Sequence, residues 1–389
     1  MPGASIAIYE PAFDIVTPAY SPRANQINDD LLGAMVSLQL EWKASGGMWA
    51  GSMTLRADAI DSQDWFEHGI ARHFELRDSA GIIAWEGFVN SVSRSIGTLQ
   101  GQYGPLLDAA NRLSVTYTPI LDPTTAPITT GPITTTTIAD NADSQAEFGI
   151  LESVLSAGQL LQYGATNEAT NLRDTVLVTS AWPESTENLN LSSTTIPTIT
   201  LELLGYVHRA KNWIYADATA ATVQYDTKIG LVIAQDPNGI MQVGAVDTNA
   251  QLTSRQEIEN RTAHAILTDL ETKGDGTNAR FTIGMYADRR LYYRTQPAIS
   301  APLYIHLIGE RSYNVYRAST QEIIEPWNIL PAQWIFISDY PAIGSYPDLR
   351  RDPRRWFIES VSFTWPDTIA INGVKLSDLP QLLARMGVG

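Results

Sequence analysis

The chain has 389 residues, of which 44% are apolar and 17% charged, with ten Trp, sixteen Tyr and no cysteine. That length exceeds one ordinary hydrophobic core and predicts two or three domains; the aromatic content excludes a disordered chain, and the absence of thiols excludes disulfides, cysteine nucleophiles and cysteine-based zinc sites. A formal net charge of -16 disfavours a module built to grip nucleic-acid phosphate.

The opening MPGASIAIYEPAFD lacks the basic and apolar regions of a signal peptide, and no apolar run reaches the roughly 18–20 residues of a membrane span. A soluble product made in the cytosol is the expectation. Residues 1–35, with Pro2, Pro11, Pro18 and Pro22, read as a strand or two with loops. From Val36 to Trp42 apolar and polar residues alternate with the period of a half-buried strand. Gly46-Gly47 reads as the turn into a second strand. Ser79-Ala80-Gly81 then joins ARHFELRD to IIAWEGFVNSVSRS as a hairpin. Trp42, Phe74 and Trp85 fall on the faces that should be buried.

Pro119–Thr137 breaks the pattern with four prolines and eight threonines in nineteen residues, which makes a linker or an extended surface loop. Ser144-Gln145-Ala146-Glu147 has the form of a capping box, with Phe148, Leu151, Val154 and Leu155 at helical spacing and Gly158 as the stop. A second, weaker helix runs from about Thr166 to Val178. Between residues 119 and 203 ten acidic side chains face one basic one, Arg173, so more than half the net charge sits in this segment. Strand-like text returns at TITLELLGYVHRAKNWIY. Asp236-Pro237-Asn238-Gly239 is a turn. Ser254-Arg255-Gln256-Glu257 reads as a second capping box, opening a helix with Ile258, Ala265, Ile266, Leu267 and Leu270 on one face and Gly274 past its end. The last third is strands, closed by a short helix in SDLPQLLARMG.

The pattern predicts a mainly β protein with α (α+β), in which antiparallel β-barrel-like domains carry a small helical insertion. The expected domains are an N-terminal β-barrel over 1–118, a Thr/Pro-rich loop and acidic helical insertion over 119–197, and a C-terminal β-rich domain with one long helix over 198–389.

Signs of chemistry are sparse. His68, His73, His208, His264 and His306 show no HxH or HxxxH spacing, and GxSxG, P-loop and Rossmann signatures are missing. Asp275-Gly276-Thr277-Asn278 lacks the spaced carboxylates of a calcium loop and reads as a turn. No catalytic, metal or cofactor residue is therefore expected, and the chain reads as a structural protein and not an enzyme. Arg350, Arg351, Arg354 and Arg355 form a basic cluster, either a solvated turn or a subunit contact in which guanidiniums clamp carboxylates of a neighbour.

Two stretches carry a family resemblance. Phe74, Leu76, Asp78, Gly81, Trp85, Gly87 and Val89 follow an F-x-L-x-D-x-x-G-x-x-x-W-x-G-x-V pattern that resembles the first domain of bacteriophage tail hub and tail-tip proteins. Ser144, Phe148, Gly149, Glu152, Leu155, Ser156 and Gly158 are similar to a second segment found in tail proteins, and RFTIGMYADRRLYYRTQP and FIESVSFTWPDTIAING read like the closing domain of such hubs. The resemblance implies a virion protein, made in the host cytoplasm, that forms a ring at the distal tail tip, with a homotrimer favoured. It implies as neighbours the distal tail, tail tube, tape measure and fibre proteins. DNA would be passing cargo only, and an acidic lumen wall over 119–203 would repel its phosphates. The alternatives are a hexameric distal tail protein and a receptor- or carbohydrate-binding tail protein.

Overall fold

A computed structural model describes residues 4–14, 19–27, 31–189, 196–275, 280–295, 303–307, 313–317, 320, 322–337, 355–366 and 368–375. The first third supplies strands β1 (Ser5–Asp14), β2 (Ala19–Gln26), β3 (Met35–Lys43), β4 (Gly46–Arg56), β5 (His73–Arg77), β6 (Ile83–Ile96) and β7 (Leu99–Tyr103), with helices α1 (Leu31–Ala34) and α2 (Ser62–His68). Alternation along β3 buries Leu38, Leu40 and Trp42 and leaves Ser37 and Gln39 on the other face. The β5–β6 hairpin turns where Asp78 accepts hydrogen bonds from the backbone N–H of Ala80 and Ile82 and Gly81 takes a left-handed φ of 79°. Phe74 and Trp85, on the core side of that hairpin, are fully buried edge-to-face partners.

Next come β8 (Arg112–Asp122), three two-residue strands β9 (Thr129–Thr130), β10 (Thr134–Thr135) and β11 (Ala139–Asp140), helix α3 (Ala142–Phe148), β12 (Glu152–Leu161), α4 (Ala165–Ser180) and β13 (Ser185–Leu189). β12 pairs parallel with β8, the short strands pair antiparallel with β8, and α4 packs across them. Among the described residues this appendage has a small core of its own, the buried Val115, Tyr117, Ala165 and Ala169 with Leu155, Ala157 and Leu160 packed against them. The Thr/Pro-rich stretch is thus partly strand, because threonines alternating beside β8 can pair where the prolines do not intervene.

The remainder holds β14 (Thr198–Leu204), a 3-10 segment Tyr206–Asn212, β15 (Thr222–Gln224), α5 (Tyr225–Ile233), β16 (Gln242–Val246), β17 (Leu252–Ser254), α6 (Ala263–Lys273), β18 (Phe281–Tyr286), β19 (Arg290–Thr295), β20 (Leu303–Leu307), β21 (Tyr313–Arg317), β22 (Trp334–Ile337), β23 (Arg355–Thr364) and β24 (Thr368–Lys375). The central run of pairings is β5–β6–β14–β4–β3–β23–β24, antiparallel throughout. β1 and β2 extend it beyond β5, β7 and β13 lie along the second half of β6, and β18, β19 and β16 branch from the start of β4. Among the described residues these pairings never return to their starting strand, so the sheet is open, whereas the sequence pattern predicts barrel-like domains with an N-terminal β-barrel over 1–118. One main hydrophobic cluster runs through it, from Ile8 to Phe363.

Several local expectations shift. Gly46 and Gly47 open β4 instead of making its turn, which falls at Ala44–Ser45; a Cβ on Gly47 would stand 2.2 Å from the Met285 carbonyl oxygen, so only glycine lets β18 approach. Asn141, not Ser144, caps α3, accepting from the Ser144 N–H at 3.1 Å, and the helix ends at Phe148 with Gly149 at φ 74°. Leu151 packs in the core, while Val154 and Leu155 lie on β12. The later helix starts after Thr262, whose hydroxyl caps Ala265, and Ile258 stands exposed outside it. Beyond Leu204 the TITLELLGYVHRAKNWIY stretch coils into the 3-10 segment. The C-terminal SDLPQLLARMG lies outside the described residues.

Candidate functional site

The densest polar feature is buried. β5 is covered on both sides: Phe74 and Leu76 face the aromatic core, and alternation puts His73 and Glu75 on the opposite face, beneath β2 and the 3-10 segment. His73 Nδ1 lies 2.7 Å from the Tyr206 hydroxyl, which is 2.5 Å from the Tyr20 hydroxyl, and His73 Nε2 lies 2.8 Å from Glu75 Oε1. Arg23 Nε donates to Glu75 Oε1 at 2.5 Å, and Arg77 donates to Oε2 through Nε and Nη2 at 2.9 and 2.6 Å. Glu86, on neighbouring β6, accepts from the backbone N–H of Arg289, whose Nη1 stands 3.9 Å from Oε2. The Arg289 guanidinium also donates to the Ile240 carbonyl at 3.2 Å.

Each ionisation follows from that setting. Burial raises the Glu75 carboxyl, but the His73 hydrogen bond and the Arg23 charge outweigh it and hold the pKa at about 2. Glu86 is pushed up to about 7 by burial, which the Arg289 charge and N–H only partly offset. Burial lowers His73 and raises Tyr20 to about 12.

His73, Glu75 and Glu86 offer ligand atoms that all lie within 4.8 Å of one another, a spacing that could hold a metal ion. The donor set argues otherwise. Both Glu75 oxygens are engaged by guanidiniums, and a third guanidinium faces Glu86, so a divalent cation would enter against three arginine charges. Nor does the cluster suit catalysis: His73 and Glu75 are both wholly shielded from solvent. The arrangement is an ion-pair lattice tying β2, β5, β6, the 3-10 segment and Ala287–Arg289 together. Removing the partners of Glu75 or of Arg289 would strand a buried charge.

The second feature is open to solvent. Opposite the core, the central sheet presents cross-strand rows of hydroxyls and amides. One row runs Thr186, Gln102, Ser93, Thr200, Thr54, Ser37 from β13 to β3. The next runs Ser91, Glu202, Ser52, Gln39, Thr364 from β6 to β23. Glu202 is pinned within it, accepting from Ser91 Oγ at 2.8 Å and Asn90 Nδ2 at 3.0 Å. An open cleft of about 320 Å³ lies on this face between β13 and β14, lined by side chains such as Ser93, Gln100, Asn188 and Thr200.

Of the sequence-predicted basic cluster, Arg355 is half-buried at the start of β23, its guanidinium 6.0 Å from the Phe336 ring; Arg350, Arg351 and Arg354 lie outside the described residues. His208 is buried against Trp49, which drives its pKa down to about 4, and His264 is half-buried on α6. Sequence reasoning missed the His73–Glu75–Glu86 lattice. Its only local signal is a His and a Glu at alternate positions of β5, which reads as a solvated face until β2 is known to cover it.

No protein-family model and no curated protein sequence matches the chain. Among solved structures it is similar to the 43 kDa tail protein of prophage MuSo2 from Shewanella oneidensis, at 10% identity and a TM-score of 0.45, over 96% of this chain and 99% of that one. It is also similar to a tail protein from Neisseria meningitidis MC58, at 8% identity and a TM-score of 0.41, over 96% of each chain.

Proposed function

We propose that the chain is a structural, non-catalytic component of a phage tail, acting as a hub at the distal tip. There copies close into a ring, a trimer, that continues the tail tube and seats the tip proteins. The observation that carries this reading is the hydroxyl-and-amide face of the central sheet. A sheet face of this width without an apolar stripe is suited neither to packing nor to a substrate. It is suited to lining an aqueous passage, because its short hydroxyl and amide side chains do not hold a polyanion and Glu202, the carboxylate in these rows, repels one. The family resemblance at Phe74, Leu76, Asp78, Gly81, Trp85, Gly87 and Val89 supports the same reading. The sparse core of the appendage adds to it, since a unit this thin gains stability chiefly by packing on neighbours.

The acidic segment 119–203 is a further candidate for a wall of the same passage, and the Arg350–Arg355 cluster for a contact between copies. Neighbours in this scheme are the distal tail, tail tube, tape measure and fibre proteins, and the virion is the location. Light scattering of the purified chain at several concentrations tests the ring. A concentration-dependent trimer is the expected result, a hexamer would favour the distal tail protein instead, and a strict monomer at all concentrations would count against the ring.

A second reading rests on the 320 Å³ cleft, whose amides and hydroxyls could hydrogen-bond a glycan. It lacks the aromatic platform on which sugar rings stack, and a saturable shift on glycan titration would be needed to promote it.

A further inference from the structure

Strand β19 carries a basic, aromatic stripe on an acidic chain. Alternation sends Leu291 and Tyr293 into the core and places Arg290, Tyr292 and Arg294 on the other face, where both arginines are exposed. Register sets Gly284 of β18 opposite Tyr292, and Gly244 of β16 lies against the Tyr292 ring from the other side. With no side chains at those two positions, the rings have room against the sheet: Tyr286 folds over Gly284 and meets Tyr292 edge-to-face at 5.7 Å, and the Arg294 guanidinium covers Tyr292 at 4.6 Å. Neither Arg290 nor Arg294 has an ion-pair partner among the described residues. Among the described residues the adjoining strand β16 pairs with β19 alone and leaves Val243 half-exposed. Tyrosine and arginine held in this way are the composition of an interface centre.

The complementary surface is on the same chain. Among the described residues, more than half of the exposed large hydrophobic side chains lie between Leu121 and Ile196, including Leu161, Tyr163, Leu172 and Val178 on β12, α4 and the turn between them. That segment also holds half of the net negative charge, with Glu168 and Asp174 exposed on α4, the latter paired with Arg173 of the same helix. Within one copy α4 packs on β8, β11 and β12, so its outer face remains uncovered by the sheet that bears β19.

We propose that the Arg290–Tyr292–Arg294 face of one copy docks the acidic outer face of α4 and the β12 tip of the next. The contact joins two different surfaces, so it is head-to-tail, the geometry that closes a ring when its rotation divides the circle. This rests on the ring reading above and names the faces that would make it. Nucleic acid is the other polyanion such a stripe could take. The acidic appendage is favoured because it adds apolar side chains to its charge, and because the field of a chain at -16 opposes DNA.

The test is sedimentation of the full chain and of Arg290→Glu/Arg294→Glu, with circular dichroism to confirm folding. Weakening of self-association by about tenfold or more is expected from reversing two interfacial charges, with partial restoration on adding Glu168→Lys. If the wild type assembles and the double variant assembles as well, this docking is overturned while the ring stands; a wild type that stays monomeric removes the ring reading itself. Loss without any restoration by Glu168→Lys overturns α4 as the partner. Fluorescence anisotropy with a labelled DNA duplex covers the remaining case, since binding that the double variant abolishes would reassign the stripe to nucleic acid.

Discussion

Glu86 is the residue whose environment makes the sharpest demand on the solvent. A buried acid whose folded pKa stands above its unfolded value favours the folded state at low pH, and that contribution drains away as pH climbs from about 4.5 to about 7. His73 and His208, both driven down by burial, act in the opposite sense: what they contribute is present above about 6.5 and is lost on acidification. Glu75, held at about 2, stays ionised across this window and is silent in it. Glu147, Glu152, Asp236 and Glu271, also raised by burial, act in the same sense as Glu86. Glu86→Gln removes the Glu86 contribution and leaves the others and the histidines in place, so the comparison with wild type isolates it. Relative to wild type, the variant should gain on the order of 3 kcal/mol between pH 4.5 and 7, by the linkage of a shift from 4.5 to about 7. Urea denaturation at several pH values measures this; a difference between the two proteins that stays constant across the window would mean that Glu86 does not titrate there.

Stability should also differ between elements. The central sheet shares a cluster that reaches from Ile8 to Phe363, whereas β8, β12 and α4 rest on Val115, Tyr117, Ala165 and Ala169. Local opening follows the amount of buried apolar surface, so amide exchange in Glu152–Leu161 and Ala165–Ser180 should be faster than in Met35–Lys43 and Thr198–Leu204 in the unassembled chain. Exchange mass spectrometry would show this, and equal protection in both groups would contradict so thin a core. The elements that were legible in sequence are those whose pattern matches one period. β3 with Leu38, Leu40 and Trp42, the Asp78–Gly81 turn and α4 all fall where alternation, turn chemistry and helical spacing put them. The misread ones mix signals. Phe148, Leu151, Val154 and Leu155 fit a helical face, yet Gly149 ends the helix and β8 offers β12 a ladder, so long-range pairing overrides the local period. Ser254 and Glu257 imitate a capping box, but Thr262 has the hydroxyl that caps α6. The buried lattice could not be read at all, because it brings His73 and Glu75 together with Tyr20, Tyr206 and Arg289, and only the fold fixes those separations.

If copies close into the ring proposed above, the question for the whole molecule is which surface that ring would turn inward. The sheet rows through Ser93, Ser52 and Thr364 and the acidic segment around Glu147 are both candidates, and they make different predictions about access. The chain has no cysteine, so a single cysteine at any one position can be labelled without background. Ser52→Cys and Thr364→Cys sit on half-exposed positions of one row, either side of Gln39, where a thiol replaces a hydroxyl of similar size, and folding should be unaffected. In the free chain both sites should react at similar rates with a small maleimide and with one carrying a large polymer. Once the ring closes, a site facing the passage should keep its reactivity toward the small reagent and lose most of it toward the large one, since only the latter is too wide to enter. Ile258→Cys, on an exposed position away from the central sheet rows, is the control and should keep both rates. Glu147→Cys decides between the two walls: if it becomes shielded while Ser52→Cys does not, the acidic segment lines the passage and the hydroxyl face looks outward. Shielding at Ser52 and Thr364 alone would mean that DNA meets a wall of hydroxyls and amides with Glu202 as its carboxylate. The charge of the chain would then serve chiefly to keep free copies from aggregating before they assemble.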